Sequence, residues 1–299
     1  METPELAAFV TVAETGSFSI AAEGLHLTQS AVSRRIAGLE KRLDARLFDR
    51  VGRSVALTEA GRALLPRARR ILADLDDTRT LIRNLTGAVS GALTLATSHH
   101  IGLHRLPPVL RTFSRTHPEV RLDLEFLDSE TAHDLLLQGR LELAVVTLAP
   151  AGVPPLASHA IWDDPLVFAV GRDHGLAERP RVTLEALAAE PAVLPGMGTY
   201  TGRIVARTFA DAGLELPGTL TTNYLETIRM MASVGLGWTV LPASMLDDRL
   251  VRLNPVGVPV LRRTLGWVSH PERTPSNAAR AFVEVLESFG DPDLAVGRP

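Results

Sequence analysis

From Gly91 onward the sequence alternates short strand-like runs with helix-like segments, and this alternation limits the possible folds more than any other feature. The strand-like runs are GALTLAT, VRLDLEF and LELAVVT, and the helical patterns PPVLRTFSRT and TAHDLLLQG lie between them. A β-α-β-α-β order predicts a parallel sheet with helices on its faces. We therefore expect this part of the chain to fold as an α/β domain.

A second series of the same kind follows, with strand-like runs at PLVFAVG, PAVLPG and WTVLP and helical patterns at GRIVARTFADAG and LETIRMMASVGLG. The two series predict two lobes, and we expect the chain to cross from one lobe to the other near residues 161–162 and to return near residues 265–266. Lobe I is expected at about residues 89–161 and 267–299, and lobe II at about 162–266. Ligands bind outside the carboxyl ends of such strands, so we expect a small-molecule site in the cleft between the lobes.

The first sixty residues follow a different, mainly helical pattern. Apolar residues recur at helical spacing from Leu6, a Gly-Ser pair at 16–17 interrupts them, and a short helix then begins at Ile20. Thr28 is a good N-cap for a third helix with a polar and basic exposed start. The small residues at 21–22 allow the second and third helices to approach closely, which predicts a helix-turn-helix.

Positive charge is concentrated in this segment, although the whole chain carries a formal net charge of only −3. The stretch from residue 26 to residue 58 contains seven basic and three acidic side chains, which is a local excess of four positive charges. Strand-like runs at 47–48 and 55–57 flank a basic turn, which predicts a wing. A basic winged helix-turn-helix is typical of a DNA-binding domain.

Thr58 is expected to cap a long helix that ends at Gly87 or Gly91. A single apolar stripe runs along it, and Pro66 interrupts it near its start. One apolar stripe over nearly thirty residues predicts a dimerisation helix, and a helix that lies on its own C-terminal domain is the alternative. The predicted domains are therefore a winged helix-turn-helix at 1–58, a linker helix at 59–88 and a two-lobed domain at 89–299.

Composition excludes several classes of protein. The chain has no cysteine, so disulfides, thiolate metal sites and cysteine nucleophiles are ruled out. No stretch approaches the roughly 18 consecutive apolar residues of a membrane helix, and the start carries acids where a secretory signal carries basic residues. We expect a cytoplasmic protein with no membrane partner.

A set of residues at fixed spacing runs through the first sixty positions: Leu6, Phe9, Gly16, Ser17, Phe18, Ala21, Ala22, Leu25, Gln29, Ser30, Ser33, Ile36, Leu39, Glu40, Leu43, Leu47, Phe48, Arg50, Leu57, Thr58 and Gly61. With these residues the segment resembles the DNA-binding segment of the LysR-type transcriptional regulators. It departs from that family at Asp44, where glycine is usual, and at Thr28, where serine is commonest. The later run ASVGLGWTVLP also resembles the family's effector domain.

The resemblance implies an α/β protein with a mostly α N-terminal winged helix-turn-helix, a long linker helix and a two-lobed effector domain like that of periplasmic binding proteins. It implies a ligand-responsive regulator that binds an interrupted inverted repeat in double-stranded promoter DNA. The partners implied are a second copy of the chain in a dimer or tetramer, a small, anionic effector, and RNA polymerase. No cofactor is expected.

Candidate DNA contacts cluster at the start of the third helix. Free N–H groups and a partial positive charge at a helix N-terminus can hold a phosphate beside Thr28. Gln29, Ser30 and Arg34 are candidates for base edges, since glutamine pairs well with adenine and arginine with guanine. The expected phosphate contacts are Ser33, Arg35, Arg50 and Arg53. A solvated surface charge is the alternative for each arginine.

Five polar residues are candidate effector contacts, and the resemblance places the first four where relatives bind small anions: Ser98, His100, Thr147, Thr199 and Asn223. Histidines at 99, 100 and 104 also invite a metal interpretation. Only His100 and His104 have the one-turn spacing of a ligand pair, and no acidic residue is nearby in sequence. We therefore expect no metal site.

Three other functions are weaker. An α/β enzyme with a fortuitous helix-turn-helix would carry a motif such as G-x-S-x-G, H-E-x-x-H or G-x-x-x-x-G-K-[ST], and none is present. A solute-binding protein would need an export signal and would have no use for the first ninety residues. A nucleoid-associated protein would not need a two-hundred-residue sensor.

Overall fold

The computed structural model describes residues 2–51, 54–179 and 181–295. The chain forms two compact units, one built from residues up to Thr86 and one that holds nearly all residues from Gly87 onward. In the described residues no helix is both long enough and apolar enough to cross a membrane. The finer division at residues 58 and 88 stays a prediction.

Three helices form the core of the first unit: α1 (Thr3–Thr15), α2 (Phe18–Gly24) and α3 (Gln29–Leu43). The hydroxyl of Ser17 accepts a hydrogen bond from the backbone N–H of Ile20, so α2 begins two residues earlier than predicted. The three helices bury a common apolar core around Phe9 and Leu39. The helix-turn-helix prediction is confirmed.

Asp44 follows α3 in the left-handed backbone conformation, with φ of 47° and ψ of 39°. Glycine adopts this conformation at the least steric cost. This backbone geometry accounts for the glycine that the family usually has at the position. Aspartate is among the few other residues that tolerate it.

The wing and the long helix complete the first unit. Strand β1 (Phe48–Val51) pairs antiparallel with β2 (Ser54–Leu57), as predicted. Helix α4 (Glu59–Asn84) begins after Thr58, whose hydroxyl accepts a hydrogen bond from the Gly61 N–H at 3.0 Å. The helix continues through Pro66 and ends before the predicted glycines.

A mixed sheet of seven strands runs through the second unit. The strands are β3 (Gly91–Thr97), β4 (Val120–Phe126), β5 (Leu143–Thr147), β6 (Ala157–Gly171), β9 (Thr239–Pro242), β10 (Leu250–Leu253) and β11 (Leu261–Ser269). Their order in the sheet is β10-β6-β11-β5-β3-β4, with β9 also paired to β6.

The parallel arrangement predicted from the first series is confirmed, and the sheet is mixed beyond those three strands. Strands β3, β4 and β5 are parallel, whereas β6 and β11 pair antiparallel with their neighbours. The chain crosses between the lobes twice in opposite directions, and the two crossing strands pair directly. Their register shifts at Leu265 and Gly266, where a Cβ on Gly266 would overlap the carbonyl of His159.

Each lobe packs helices against its strands around its own core, which confirms the two-lobed α/β prediction. Lobe I centres on Phe113 and Phe282, and lobe II on Phe209 and Trp238, whose rings stack. Lobe I has α5 (His99–His104), α6 (Leu106–Thr116), α7 (Ser129–Leu137) and α11 (Asn277–Glu287). Lobe II has α8 (Leu184–Ala188), β7 (Ala192–Leu194), α9 (Tyr200–Asp211), β8 (Thr219–Thr221) and α10 (Leu225–Ser233). The last helix of the chain is α12 (Pro292–Ala295).

Candidate functional site

The start of α3 presents a polar surface in the first unit. Thr28 caps the helix, since its Oγ1 accepts a hydrogen bond from the Ala31 N–H at 3.2 Å. The same Oγ1 lies 3.0 Å from the Oγ of Ser30. Thr28, Gln29 and Ser30 are all exposed, so the predicted cap is confirmed and its neighbours are open to a partner.

Side chains on α3 divide into two sides. At about 100° per residue, Gln29, Ser30, Ser33 and Arg34 lie within one arc of the helix surface. The buried face that holds Val32, Ile36 and Leu39 covers a different arc, which borders on Gln29.

The basic residues on and after α3 have different surroundings. Arg34 is exposed and has no ion-pair partner among the described residues. Arg35 lies about 100° further around the helix than Arg34, next to the buried face. In the wing, Arg50 lies on β1, whereas Arg53 is outside the described residues.

A cavity of about 50 Å³ lies in the second unit, and residues of both lobes line it. Helices α5, α7, α9 and α10 all begin at its wall. All five residues predicted to contact an effector line it: Ser98, His100, Thr147, Thr199 and Asn223. The fold therefore brings together the five side chains that the sequence analysis predicted as effector contacts.

Arg263 provides a buried positive charge at this cavity, and sequence reasoning missed it. Its Nε donates to Asp164 Oδ2 at 2.7 Å and its Nη1 donates to Thr201 Oγ1 at 3.0 Å. Its Nη2 has no hydrogen-bond partner although the side chain is only 6% exposed. A buried donor without a partner is uncommon, so this nitrogen is a candidate for binding a ligand.

The signal for Arg263 was present in the sequence. In LRRTLGWVS, alternation places residue 263 on the same side of the strand as Leu261 and Leu265, both of which are buried. Arg262, one residue earlier, points the other way and is 57% exposed. An inward arginine in an otherwise apolar register could have been predicted as a site residue.

Two carboxylates also line the cavity. Glu130 accepts a hydrogen bond from the Tyr200 N–H in the first turn of α9 and lies 3.4 Å from Arg203 Nη2. Burial raises the pKa of Glu130 above its ordinary value, although hydrogen bonds from backbone N–H groups and the charge of Arg203 oppose this. Asp128 Oδ2 accepts a hydrogen bond from Asn223 Nδ2 at 2.7 Å. These bonds join α7 and its N-terminal loop to lobe II.

His100 is buried in the wall of the cavity and is 4% exposed. Neither ring nitrogen has a hydrogen-bond partner. Burial lowers the pKa of His100 to about 3, and the positive charge of Arg263 contributes in the same direction. The imidazole is therefore neutral at physiological pH, and its unshared electron pair is available to a ligand.

The other two histidines of α5 contact lobe II. His99 packs edge-on against Tyr224 with ring centroids 4.7 Å apart, and it also contacts Phe126 at 5.0 Å. His104 Nε2 lies 2.8 Å from Glu226 Oε1 on α10. His104 therefore has a carboxylate partner that lies far away in the sequence.

Comparison with known proteins agrees with both units. Residues 4–62 match the model of the bacterial regulatory helix-turn-helix proteins of the lysR family, and residues 86–290 match the LysR substrate binding domain. A "Probable nitrogen assimilation transcriptional activator" from Synechococcus elongatus is 33% identical over 289 residues, covering 94% of this chain and 93% of that relative. An uncharacterized HTH-type transcriptional regulator from Azotobacter vinelandii is 71% identical over 108 residues, covering 36% of this chain and 75% of that relative.

Solved structures show the same fold. A full-length OxyR variant from Pseudomonas aeruginosa superposes with a TM-score of 0.71 at 24% identity, covering 98% of this chain and 97% of that one. Full-length CbnR in complex with its target DNA superposes with a TM-score of 0.64 at 25% identity, covering 97% and 100%. The chain therefore belongs to the LysR family, as a DNA-binding transcription regulator with an effector-binding domain and not an enzyme.

Proposed function

We propose that this regulator senses a small anionic metabolite in the cavity that both lobes line, and that the metabolite changes its action at a promoter. The observation that carries the proposal is the free Nη2 of buried Arg263. A guanidinium binds carboxylate and phosphate oxygens in a fork, with more specificity than a point charge. Ser98, His100, Thr147, Thr199 and Asn223 are the proposed polar contacts around the anion.

The start of α9 already holds a carboxylate. Helix N-termini bind anions because their N–H groups are free and their dipole is positive. At α9 the Glu130 carboxylate accepts a hydrogen bond from the Tyr200 N–H, and the Thr199 hydroxyl accepts one from the Gly202 N–H. This wall of the cavity therefore suits a carboxylate, and Arg263 supplies the donor that is left for an effector.

The size of the cavity favours a small ligand. A volume of about 50 Å³ accommodates a few water molecules, at roughly 10–15 Å³ each. A short mono- or dicarboxylate fits this space with little rearrangement, whereas a large ligand requires the lobes to open. We therefore place short-chain carboxylates ahead of nucleotides or sugars.

We propose that the regulator acts as a homodimer, or as a tetramer of two dimers, on an interrupted inverted repeat in promoter DNA. The proposed DNA contacts are Thr28, Gln29, Ser30, Ser33, Arg34, Arg35, Arg50 and Arg53, and RNA polymerase is the proposed further partner. Effector binding would favour one lobe arrangement and so alter DNA bending, which requires different affinities for the two states. Because a transcription regulator must reach DNA inside the cell, we place the protein in the cytoplasm.

A thermal-shift screen of the full-length chain against short mono- and dicarboxylates tests the anion proposal. We expect at least one carboxylate to raise the melting temperature of the wild type. Arg263→Lys keeps the charge but removes the fork, so the shift should fall to near zero. Arg262→Lys is the matched control, because that neighbouring side chain points the other way, and it should keep the full shift.

Two outcomes would contradict the proposal. One is an equal shift in Arg263→Lys and in the wild type, which would remove the guanidinium from the site. The other is a rise in the melting temperature with neutral metabolites and none with carboxylates. The melting temperature of each variant without ligand identifies any loss of folding, since Arg263 also holds buried Asp164.

A further inference from the structure

Three potential metal ligands meet beside the cavity. His100 and His104 lie one turn apart on α5, and Glu226 lies in the first turn of α10. One ligand atom from each of the three side chains lies within 4.8 Å of the others. In the part of the chain that the structure describes, this is the single group of three His, Asp or Glu side chains with that spacing.

The burial of His100 points independently to a ligand. Both of its ring nitrogens are buried and without a partner. Buried polar atoms in folded proteins are almost always hydrogen-bonded or bound to an ion, because an unpaired one costs the full desolvation penalty. A metal ion on one nitrogen would give this imidazole the partner it lacks.

We propose that His100, His104 and Glu226 bind one divalent transition-metal ion, of which Zn²⁺ fits best. Two imidazoles and one carboxylate are a ligand set that Zn²⁺ uses with a fourth position left open. With metal–ligand bonds of roughly 2.0–2.2 Å, ligand atoms in a tetrahedral site are about 3.3 Å apart. The 2.8 Å spacing between His104 Nε2 and Glu226 Oε1 needs little change to reach that value.

The surrounding charges permit the ion. Arg263 and Arg105 are the nearby cations, and both pair with buried Asp164, at 2.7 Å and 3.5 Å. Glu226 adds a second negative charge that contacts the site directly. The two arginines are therefore offset by two carboxylates, and the cluster has no large positive excess to repel a cation.

The proposed ion would also join the two lobes, since α5 belongs to lobe I and α10 to lobe II. The sequence argument against a metal site depended on the absence of an acidic residue near the histidines. Glu226 is 122 residues from His104 in the chain, and folding brings it into contact.

Co²⁺ titration of the full-length, chelator-treated protein tests the proposal, since tetrahedral Co²⁺ absorbs visible light strongly and replaces Zn²⁺ in such sites. The chain has no cysteine, so no thiolate absorption interferes. We expect one Co²⁺ per chain, displaced by one Zn²⁺. His104→Gln and Glu226→Gln should each weaken binding by about tenfold or more, on the scale of perturbed metal sites. His99→Gln, on the same helix but outside the cluster, should leave the affinity unchanged.

Equal affinity in the wild type, His104→Gln and Glu226→Gln would overturn the proposal, and so would an equal loss in His99→Gln. Melting temperatures in metal-free buffer show whether each variant is folded. Glu226→Gln keeps a hydrogen-bonding group on the exposed side of the cluster, so it remains informative if His104→Gln is unstable. The readout is the bound ion itself, so it does not depend on the anion proposal or on DNA binding.

Discussion

Glu5 is a charged side chain in the core of the first unit, with a side chain only 7% exposed. One carboxylate oxygen accepts a hydrogen bond from Arg42 on α3, and the other accepts one from the Glu2 N–H at 3.1 Å. The hydrogen bond from Arg42 is the largest cause of the lowered pKa of Glu5, and burial opposes it. The pair joins α1 to the helix that carries the proposed DNA contacts.

Glu5→Gln tests this pair through the pH dependence of stability. A carboxyl with a lowered pKa in the folded state stabilises the protein above its unfolded pKa, and this stability is lost as the pH falls through the folded value. The variant should therefore melt a few degrees below the wild type at pH 7. The gap should close as the pH falls below about 4. Thermal melts at several pH values measure the difference, and a gap that is constant with pH would contradict the assigned role.

At the scale of single residues, local chemistry was predictable and tertiary partners were not. Thr28 and Thr58 cap their helices as expected, because capping depends only on neighbours three residues away. Arg263 and Glu226 depend on partners 99 and 122 residues away in the chain. Alternation along β11 indicates that Arg263 points inward, but a periodic pattern does not indicate which distant side chains it contacts.

At the scale of elements, the C-terminal half of α4 exposes an apolar stripe. Ala68 is fully buried against the helix-turn-helix core. Ile71, Leu75 and Ile82 on α4, and Leu85 directly after it, recur at helical spacing beyond that point, with exposures from 37% to 77%. Such a stripe is expected to bury itself against another helix. We propose a second copy of α4 as that partner.

Ile82→Glu should weaken the dimer, because it places a charge in the middle of the stripe. Sedimentation or light scattering at several protein concentrations should show the variant dissociating at concentrations where the wild type stays associated. Arg83→Glu is the control, since the neighbouring side chain lies about 100° around the helix and is exposed. An unchanged association state in Ile82→Glu would exclude this surface.

Most elements were predictable, but the antiparallel pairing of β6, β10 and β11 was not. The period of the apolar residues predicted α1, α3, α4 and the first β-α-β series, because each is long enough to show its pattern. The fifteen-residue strand β6 was predicted only in its last part, since polar residues near Asp163 and Asp164 break the apolar run. Short elements such as α8 and α12 were missed because a single turn carries little periodicity.

In the whole molecule, each of the two units has its own core, and we assign DNA binding to the first unit and effector binding to the second. The polar surface of α3 lies in the first unit, and the cavity with Arg263 lies in the second. Family membership follows from matches to both, since residues 4–62 and 86–290 each match a LysR model. Within the first unit, we propose that the N-terminal half of α3 reads DNA.

Base reading by α3 is tested by titrating the wild type and Arg34→Ala with a duplex selected by the wild type and with a scrambled duplex. We expect Arg34→Ala to lose about 1–3 kcal/mol on the selected duplex and much less on the scrambled one. Arg207→Ala is the control, because Arg207 is an arginine of lobe II whose side chain is 83% exposed. This variant should bind both duplexes with the affinity of the wild type. Equal losses on both duplexes for Arg34→Ala would contradict base reading, and a wild type that prefers no duplex over a simple polyanion would contradict DNA recognition by α3.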